Sequence, residues 1–229
     1  MPMPFTKWRY IYPPRPGSAT PYPISGQEGS DVYRDSGEWQ VQLKLNGTRS
    51  LIVFRPDGGI EFYNRHAEHH KAWSAPEWMV EEIKKRFVVE KGKWSIIESE
   101  LLHSKHASVK DTLYVFDILV LNGRYLVGTS YEDRFAMLSE VCGHPPAEVA
   151  GFGGMVLEIG RGLWMATVID ETKWDAAWAL SERIVGNEKP IIEGLVFKRV
   201  RALLDFGHSA VNNGLWMVRC RRETKSFQF

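Results

Sequence analysis

The sequence predicts an α+β fold, on three observations. Short stretches of alternating apolar and polar residues outnumber helical ones, Gly-, Asn- and Pro-containing turns separate them, and three helix-period stretches interrupt the series. Among the 229 residues, 44% are hydrophobic and 25% charged, which suits one large folded unit or two small ones with a substantial core.

Residues 1–38 are rich in Pro, Gly, Ser and Tyr, and Tyr12-Pro13-Pro14-Arg15-Pro16 cannot form a helix interior. They read as an ordered arm or loop draped over a domain spanning 39–229. Trp39–Leu45 alternates as a strand, Ser50–Phe54 continues it, and Pro56-Asp57-Gly58-Gly59 turns the chain back into Ile60–Tyr63. A helix is predicted over Pro76–Phe87, with Ser74 and Glu77 as a capping box and Trp78, Met79, Ile83 and Phe87 as its apolar stripe. Strands follow near Trp94–Leu102 and Thr112–Leu121, and Asn122-Gly123 makes a hairpin into Tyr125–Val127. Ser130 opens a second helix reaching Val141. Met155–Ile159 and Met165–Val168 read as strands, Thr172–Val185 as a third helix stopped by Gly186, and Ile192–Arg199 and Leu215–Arg221 as closing strands.

A net charge of +1 excludes a global field that draws the protein onto nucleic acid, so any such contact must come from local patches. Cys142 and Cys220 show no metal-type spacing and suit a reducing compartment. No apolar leader core or membrane-length stretch is present, so a cytoplasmic location is expected. The nine tryptophans scatter along the chain and read mostly as core or groove wall.

The chemistry centres on Lys44-Leu45-Asn46-Gly47-Thr48-Arg49, a lysine ending a strand with a tight turn and an arginine behind it. Deprotonated, such a lysine is a nucleophile, and Arg49 can hold what it becomes joined to. Four further signals follow in order: Glu98-Ser99-Glu100 ending an apolar strand, Phe116-Asp117 inside one, Glu193 to Lys198 bracketing another, and Arg219 and Arg221 alternating on the last. Residues two apart share a strand face, so Glu98 pairs with Glu100 and Arg219 with Arg221. Glu193 and Lys198 face opposite sides of a regular strand, and a bulge at Gly194 would bring both to one site.

From Gln42 to Arg221 the chain resembles the covalent nucleotidyltransferases, the family of ATP-dependent DNA and RNA ligases and mRNA capping enzymes. The stretch from Phe116-Asp117-Ile118-Leu119 to Tyr131-Glu132-Asp133-Arg134 is most similar to ATP-dependent DNA ligases. The resemblance implies an ATP-grasp-like ligase domain, with mostly antiparallel sheets flanked by helices. It makes Lys44 the residue that becomes linked to AMP. Arg49 and Glu100 then hold the ribose or nearby phosphates, and Arg65 resembles the arginine of the next motif. Phe116 stacks on the base, while Gln42 and the Leu43 backbone meet its edge. Glu193 helps place a divalent metal, Lys198 meets the α-phosphate, and Arg219 and Arg221 complete the nucleotide site.

Chemistry agrees with these roles. An ammonium cannot attack phosphorus, so Lys44 must lose its proton, and Lys198, Arg219, Arg221 and a bound metal can supply the field that favours this. Pyrophosphate departure calls for Mg²⁺, or Mn²⁺ in its place, together with cationic side chains. Glu193 can offer magnesium a carboxylate beside the phosphate oxygens. The Gln42 amide donates and accepts, so it does not choose between adenine and guanine.

Three departures from the family pattern stand out. Asn46 replaces the usual Asp, and Arg219 and Arg221 replace lysines, which is not a neutral exchange. The sequence ends eight residues after Arg221, where ligases and capping enzymes usually continue into an OB-fold. The expectation is that no OB-fold domain is present, its role falling to a separate chain or partly to the arm bearing Lys7, Arg9 and Arg15, unless the sequence is truncated. The expected function is an ATP-dependent polynucleotide ligase acting through lysyl-AMP, with nicked DNA as partner and a monomeric state. An RNA ligase and a nucleotide- or end-binding module with an eroded site stay open as alternatives.

Overall fold

The computed structural model describes residues 33–34, 36–143, 152–181, 190–204 and 217–221. Almost all of the expected arm, the end of the third predicted helix and the approach to the last strand lie outside them. Two sheets carry the fold. In the smaller, β1 (Trp39–Leu45) and β10 (Met217–Arg221) flank β9 (Ile192–Arg199), all antiparallel. The larger runs β3 (Ile60–Tyr63), β2 (Thr48–Phe54), β4 (Ser95–Leu102), β5 (Thr112–Leu121), β8 (Leu163–Ala166), β7 (Val156–Gly160), with β6 (Arg124–Tyr125) paired to β5. Among the described residues only β5 with β8 is parallel, so the α+β, mostly antiparallel expectation holds.

Two buried clusters make up the core among the described residues, and the second also takes in Leu102, Tyr114, Val156 and Ala166 of the larger sheet. Ile52, Ile96, Ile97, Val115, Ile118 and Val120 of the larger sheet pack with Met79 and Ile83 of α1 (Glu77–Arg86) and Leu138 of α2 (Tyr131–Val141). Val41, Leu43, Leu195, Phe197, Val218 and Cys220 of the smaller sheet pack with Trp174 and Trp178 of α3 (Trp174–Leu180). Before β1, Tyr33 sits 5.0 Å from the Trp39 ring and 5.3 Å from Phe197, while Arg34 pairs with Asp175 at 2.8 Å. The residues just ahead of the domain are therefore seated on the back of the smaller sheet.

Several expectations need correction. Helix α1 has no capping box: Pro76 is its N-cap, in extended conformation, and makes no side-chain cap bond. The Pro76 carbonyl accepts the first helical bonds from Met79 and Val80, which leaves Ser74 two residues too far upstream to cap. At α2, Ser130 does cap, its hydroxyl accepting from the Asp133 N–H. The third helix begins one residue earlier than expected with a 3₁₀ turn, Glu171–Lys173, capped by Asp170, before α3 proper. β8 starts two residues before the predicted strand, because the turn through Gly162 (φ +65°) leads straight into it. The Asn122-Gly123 turn is as predicted, both residues having positive φ, but the returning strand is Arg124–Tyr125 and not Tyr125–Val127.

Candidate active site

A cleft of about 620 Å³, its open mouth included, lies between one face of each sheet. Alternation along β1 sends Val41, Leu43 and Leu45 into the core and Gln42 and Lys44 into the cleft. Opposite stand Arg49 of β2, Glu98 and Glu100 of β4, and Tyr114 and Phe116 of β5, with Val196 and Lys198 of β9 and Met217 of β10 completing the wall. Tyr114 ties the sheets together at the floor, its hydroxyl donating to the Leu43 carbonyl at 3.3 Å. Part of the Leu43 backbone is thus already engaged.

Lys44 reaches the Glu193 carboxylate in a direct ion pair. The pairing register explains how: Lys44 opposes Gly194 and Leu45 opposes Ile192, so Glu193 is the extra residue of a bulge. That bulge, expected from Glu193-Gly194, places Glu193 against Lys44 while Lys198 stays on the cleft wall. Glu100 accepts a hydrogen bond from the Gly47 N–H at 3.0 Å. Burial and Glu193 push its carboxyl above the usual range, against the pull of Lys44, Lys105 and the Gly47 amide. Arg49 opposes Glu100 in the β2–β4 register, yet its Nε pairs with Glu98 at 2.5 Å. Sequence reading placed Glu98 beside Glu100 without giving it a role.

Lys198 is 3% exposed, its ammonium donating to the Phe116 carbonyl at 3.3 Å and lying 5.0 Å from the Phe116 ring centroid and 4.5 Å from that of Tyr131. Burial lowers its pKa to about 8, with Arg134 and Arg49 adding to the fall and Asp117 and Glu98 opposing it. Beneath it lies a fully buried pair: Arg134 of α2 grips Asp117 of β5 at 2.9 and 3.0 Å. Asp117 Oδ1 also accepts from the Ile118 N–H at 2.8 Å, beside an irregularity in the β4–β5 pairing. The Asp117 and Arg134 quoted for the ligase resemblance therefore form one structural unit that supports Phe116 and Lys198.

Arg219 occupies the row of Val196 and Gln42, and the Arg221 backbone the row of Gly194 and Lys44. Arg219 shares the cleft-facing side of the sheet by register with Met217, though it is not part of the cleft lining, and the Arg221 side chain lies outside the described residues. Arg65 is exposed after β3, its Nε 3.0 Å from His66 Nε2, and stands outside the cleft lining. Among the described residues no group of three or more His, Cys, Asp or Glu side chains forms a metal cage. Sequence reading missed Tyr114, though its place two residues before Phe116 on one strand was a signal. It also missed Met217, which carried none.

The family model for RNA ligase matches residues 37–212. The chain belongs to that family. Membership places it among the covalent nucleotidyltransferases, as the resemblance implied, and the match spans β1 through β9 with the cleft residues they carry. Among solved structures, this RNA ligase family member is similar to a mycobacterial DNA ligase D complexed with ATP and MES. Identity is 16% and the TM-score 0.59, covering 96% of this chain and 62% of that one. It is also similar to the ligase domain from M. tuberculosis LigD, at 19% identity and TM-score 0.50, covering 80% of this chain and 53% of that one. At such identities the likeness is one of fold. The chain spans about three fifths and about half of those two lengths. Comparison with curated proteins finds no match.

Proposed function

We propose that the chain is an ATP-dependent polynucleotide ligase working through a lysyl-AMP intermediate, with nicked DNA as its substrate. The observation that carries this is Lys44 inside a cleft, paired with Glu193 and facing Glu100, Phe116 and Lys198. Lys44 Nζ, once its proton has passed to solvent, attacks the α-phosphorus of ATP. A phosphorus–nitrogen bond forms as the bond to the β-phosphate oxygen breaks, and pyrophosphate leaves. The adenylate then passes to a 5′-phosphate, and a 3′-hydroxyl displaces AMP as the strands join.

Lys198 supplies positive charge at the α-phosphate, the Phe116 face not covered by Lys198 meets the base, and Glu100 and Arg49, which line the same cleft as Lys44, hold the ribose. The donor set suits Mg²⁺ or Mn²⁺: isolated carboxylates near the nucleophile, with the remaining ligands expected from phosphate oxygens and water. Glu193 would hold the ion, which withdraws charge from the phosphates as pyrophosphate departs. The buried Asp117–Arg134 pair supports the DNA reading, because it belongs to the stretch most similar to DNA ligases. The family match supports RNA ends as the second reading.

Incubation with labelled ATP or GTP and Mg²⁺ tests the first step. A denaturation-stable label from ATP on the wild type, absent from Lys44→Ala, is expected; no label with any metal counts against a transferase. Sealing of nicked duplex DNA compared with single-stranded and splinted RNA then separates the two ligases.

A further inference from the structure

The turn behind Lys44 is gripped from three directions. Asn46 N–H donates to the Ile191 carbonyl at 2.8 Å, and Asn46 Nδ2 donates to the Pro190 carbonyl at 3.3 Å. Gly47 N–H donates to Glu100 on β4, and the Gly47 carbonyl accepts from Lys105. The Asn46 carbonyl lies 2.7 Å from His106 Nε2. A carbonyl only accepts, so that ring nitrogen carries the hydrogen. His106 is the one buried side chain between His103 and Asp111, at 2% exposure in a connection that is otherwise partly or fully exposed.

A buried ring in an exposed loop has an enforced place, and this one meets the peptide two residues from the nucleophile. Asn46 makes a matching contact on the other side. An aspartate there would set carboxylate oxygens against the Pro190 carbonyl, acceptor against acceptor, and only the amide has a hydrogen to give. The departure from the family's usual acid is thereby explained on this chain's own geometry.

We propose that His106 and the Asn46 side-chain amide are positioning residues, which fix the Asn46–Gly47 turn and so aim Lys44 at the phosphorus. This rests on the transferase reading above. Both act through the turn and neither touches the nucleotide, so their loss slows transfer and leaves nucleotide binding intact.

The test compares wild type with His106→Ala, His106→Gln and Asn46→Asp. It reads the rate of lysyl-AMP formation at saturating ATP and, separately, the Kd for ATP without metal. Expected are a rate roughly 10- to 100-fold lower for H106A and N46D, the loss that about an ångström of misplacement produces. ATP affinity should stay within about twofold of wild type, and H106Q, which retains an N–H donor, should recover most of the rate. A labelled wild type whose H106A and N46D variants react at the same rate overturns the positioning role alone. So does loss confined to ATP affinity, or loss of both that H106Q does not restore, which would assign His106 to folding. Absence of label on the wild type overturns the transferase reading and this inference with it.

Discussion

Lys198 is a cleft residue whose chemistry is altered by its surroundings. Burial favours its neutral amine, and its pKa falls to about 8. Between about 8 and the ordinary lysine value the unfolded chain keeps a proton that the folded chain has released, so this group makes folding more favourable as pH rises through that window. On the proposed role of Lys198, nucleotide binding runs the other way, because the charged form is the one that holds an α-phosphate. ATP affinity measured without metal should weaken roughly tenfold from pH 7 to pH 9, and Lys198→Arg should flatten that slope, since a guanidinium keeps its charge. Identical pH slopes for the two chains would remove Lys198 from the phosphate site. Gly47 offers a second case: a Cβ there would lie 2.5 Å from the Leu101 carbonyl and 2.6 Å from Glu100 Cγ. Gly47→Ala should cost about 2–3 kcal/mol in denaturant unfolding and abolish lysyl-AMP formation. At this scale Lys44, Glu193, Phe116 and Lys198 were legible, because strand alternation and one bulge place them. His106 was not, since nothing in a Ser-, Lys- and His-rich loop marks which side chain turns inward.

Among the elements, β5 and α2 show how a buried charge pair is tolerated. Arg134 is fully buried and satisfied by Asp117 and by the Thr129 carbonyl at 2.8 Å, while Asp117 also takes the Ile118 N–H. Removing one partner strands the other without water. Asp117→Leu or Arg134→Met alone should therefore destabilise by about 3–5 kcal/mol. The double variant, freed of an isolated charge, should lose at least about 2 kcal/mol less than the sum of the two. Additive losses in urea titrations would show that the charges do not act as a pair. The order of elements was readable because β1, β3, β5 and β9 have clear alternation or apolar runs bounded by turns, and their predicted limits coincide with the observed ones. The parallel β5–β8 pairing was not, because it is decided by where a long connection packs and not by either strand's own residues. The α1 cap was misread for a local reason: Ser74 and Glu77 have capping-box spacing, but Pro76 already supplies the extended backbone from which the helix starts.

For the whole molecule, the balance of charge matters more than any one site. Net charge is +1, and many surface cations are already neutralised by neighbours. Arg55 pairs with Asp57 and Glu61, Lys84 with Glu81, Arg86 with Glu82, and Lys93 with Glu90. In the basic run at the end of α1, Lys84 and Arg86 are accordingly paired, which makes it a poor track for a phosphate backbone. On the proposed function, and among the described residues, polynucleotide contact falls to the rim of the cleft between the two sheets, where only a few phosphates can be met at once. With about three such contacts, affinity for nicked duplex DNA should be weak and fall roughly 40-fold between 50 and 200 mM salt. Lys84→Glu with Lys85→Glu should leave it nearly unchanged, whereas charge reversal at the cleft rim should not. Fluorescence anisotropy on a labelled nick measures both. An affinity indifferent to salt, or one that collapses with the α1 reversals, would place the nucleic acid away from the cleft and separate the site of nucleotide chemistry from the site of strand binding.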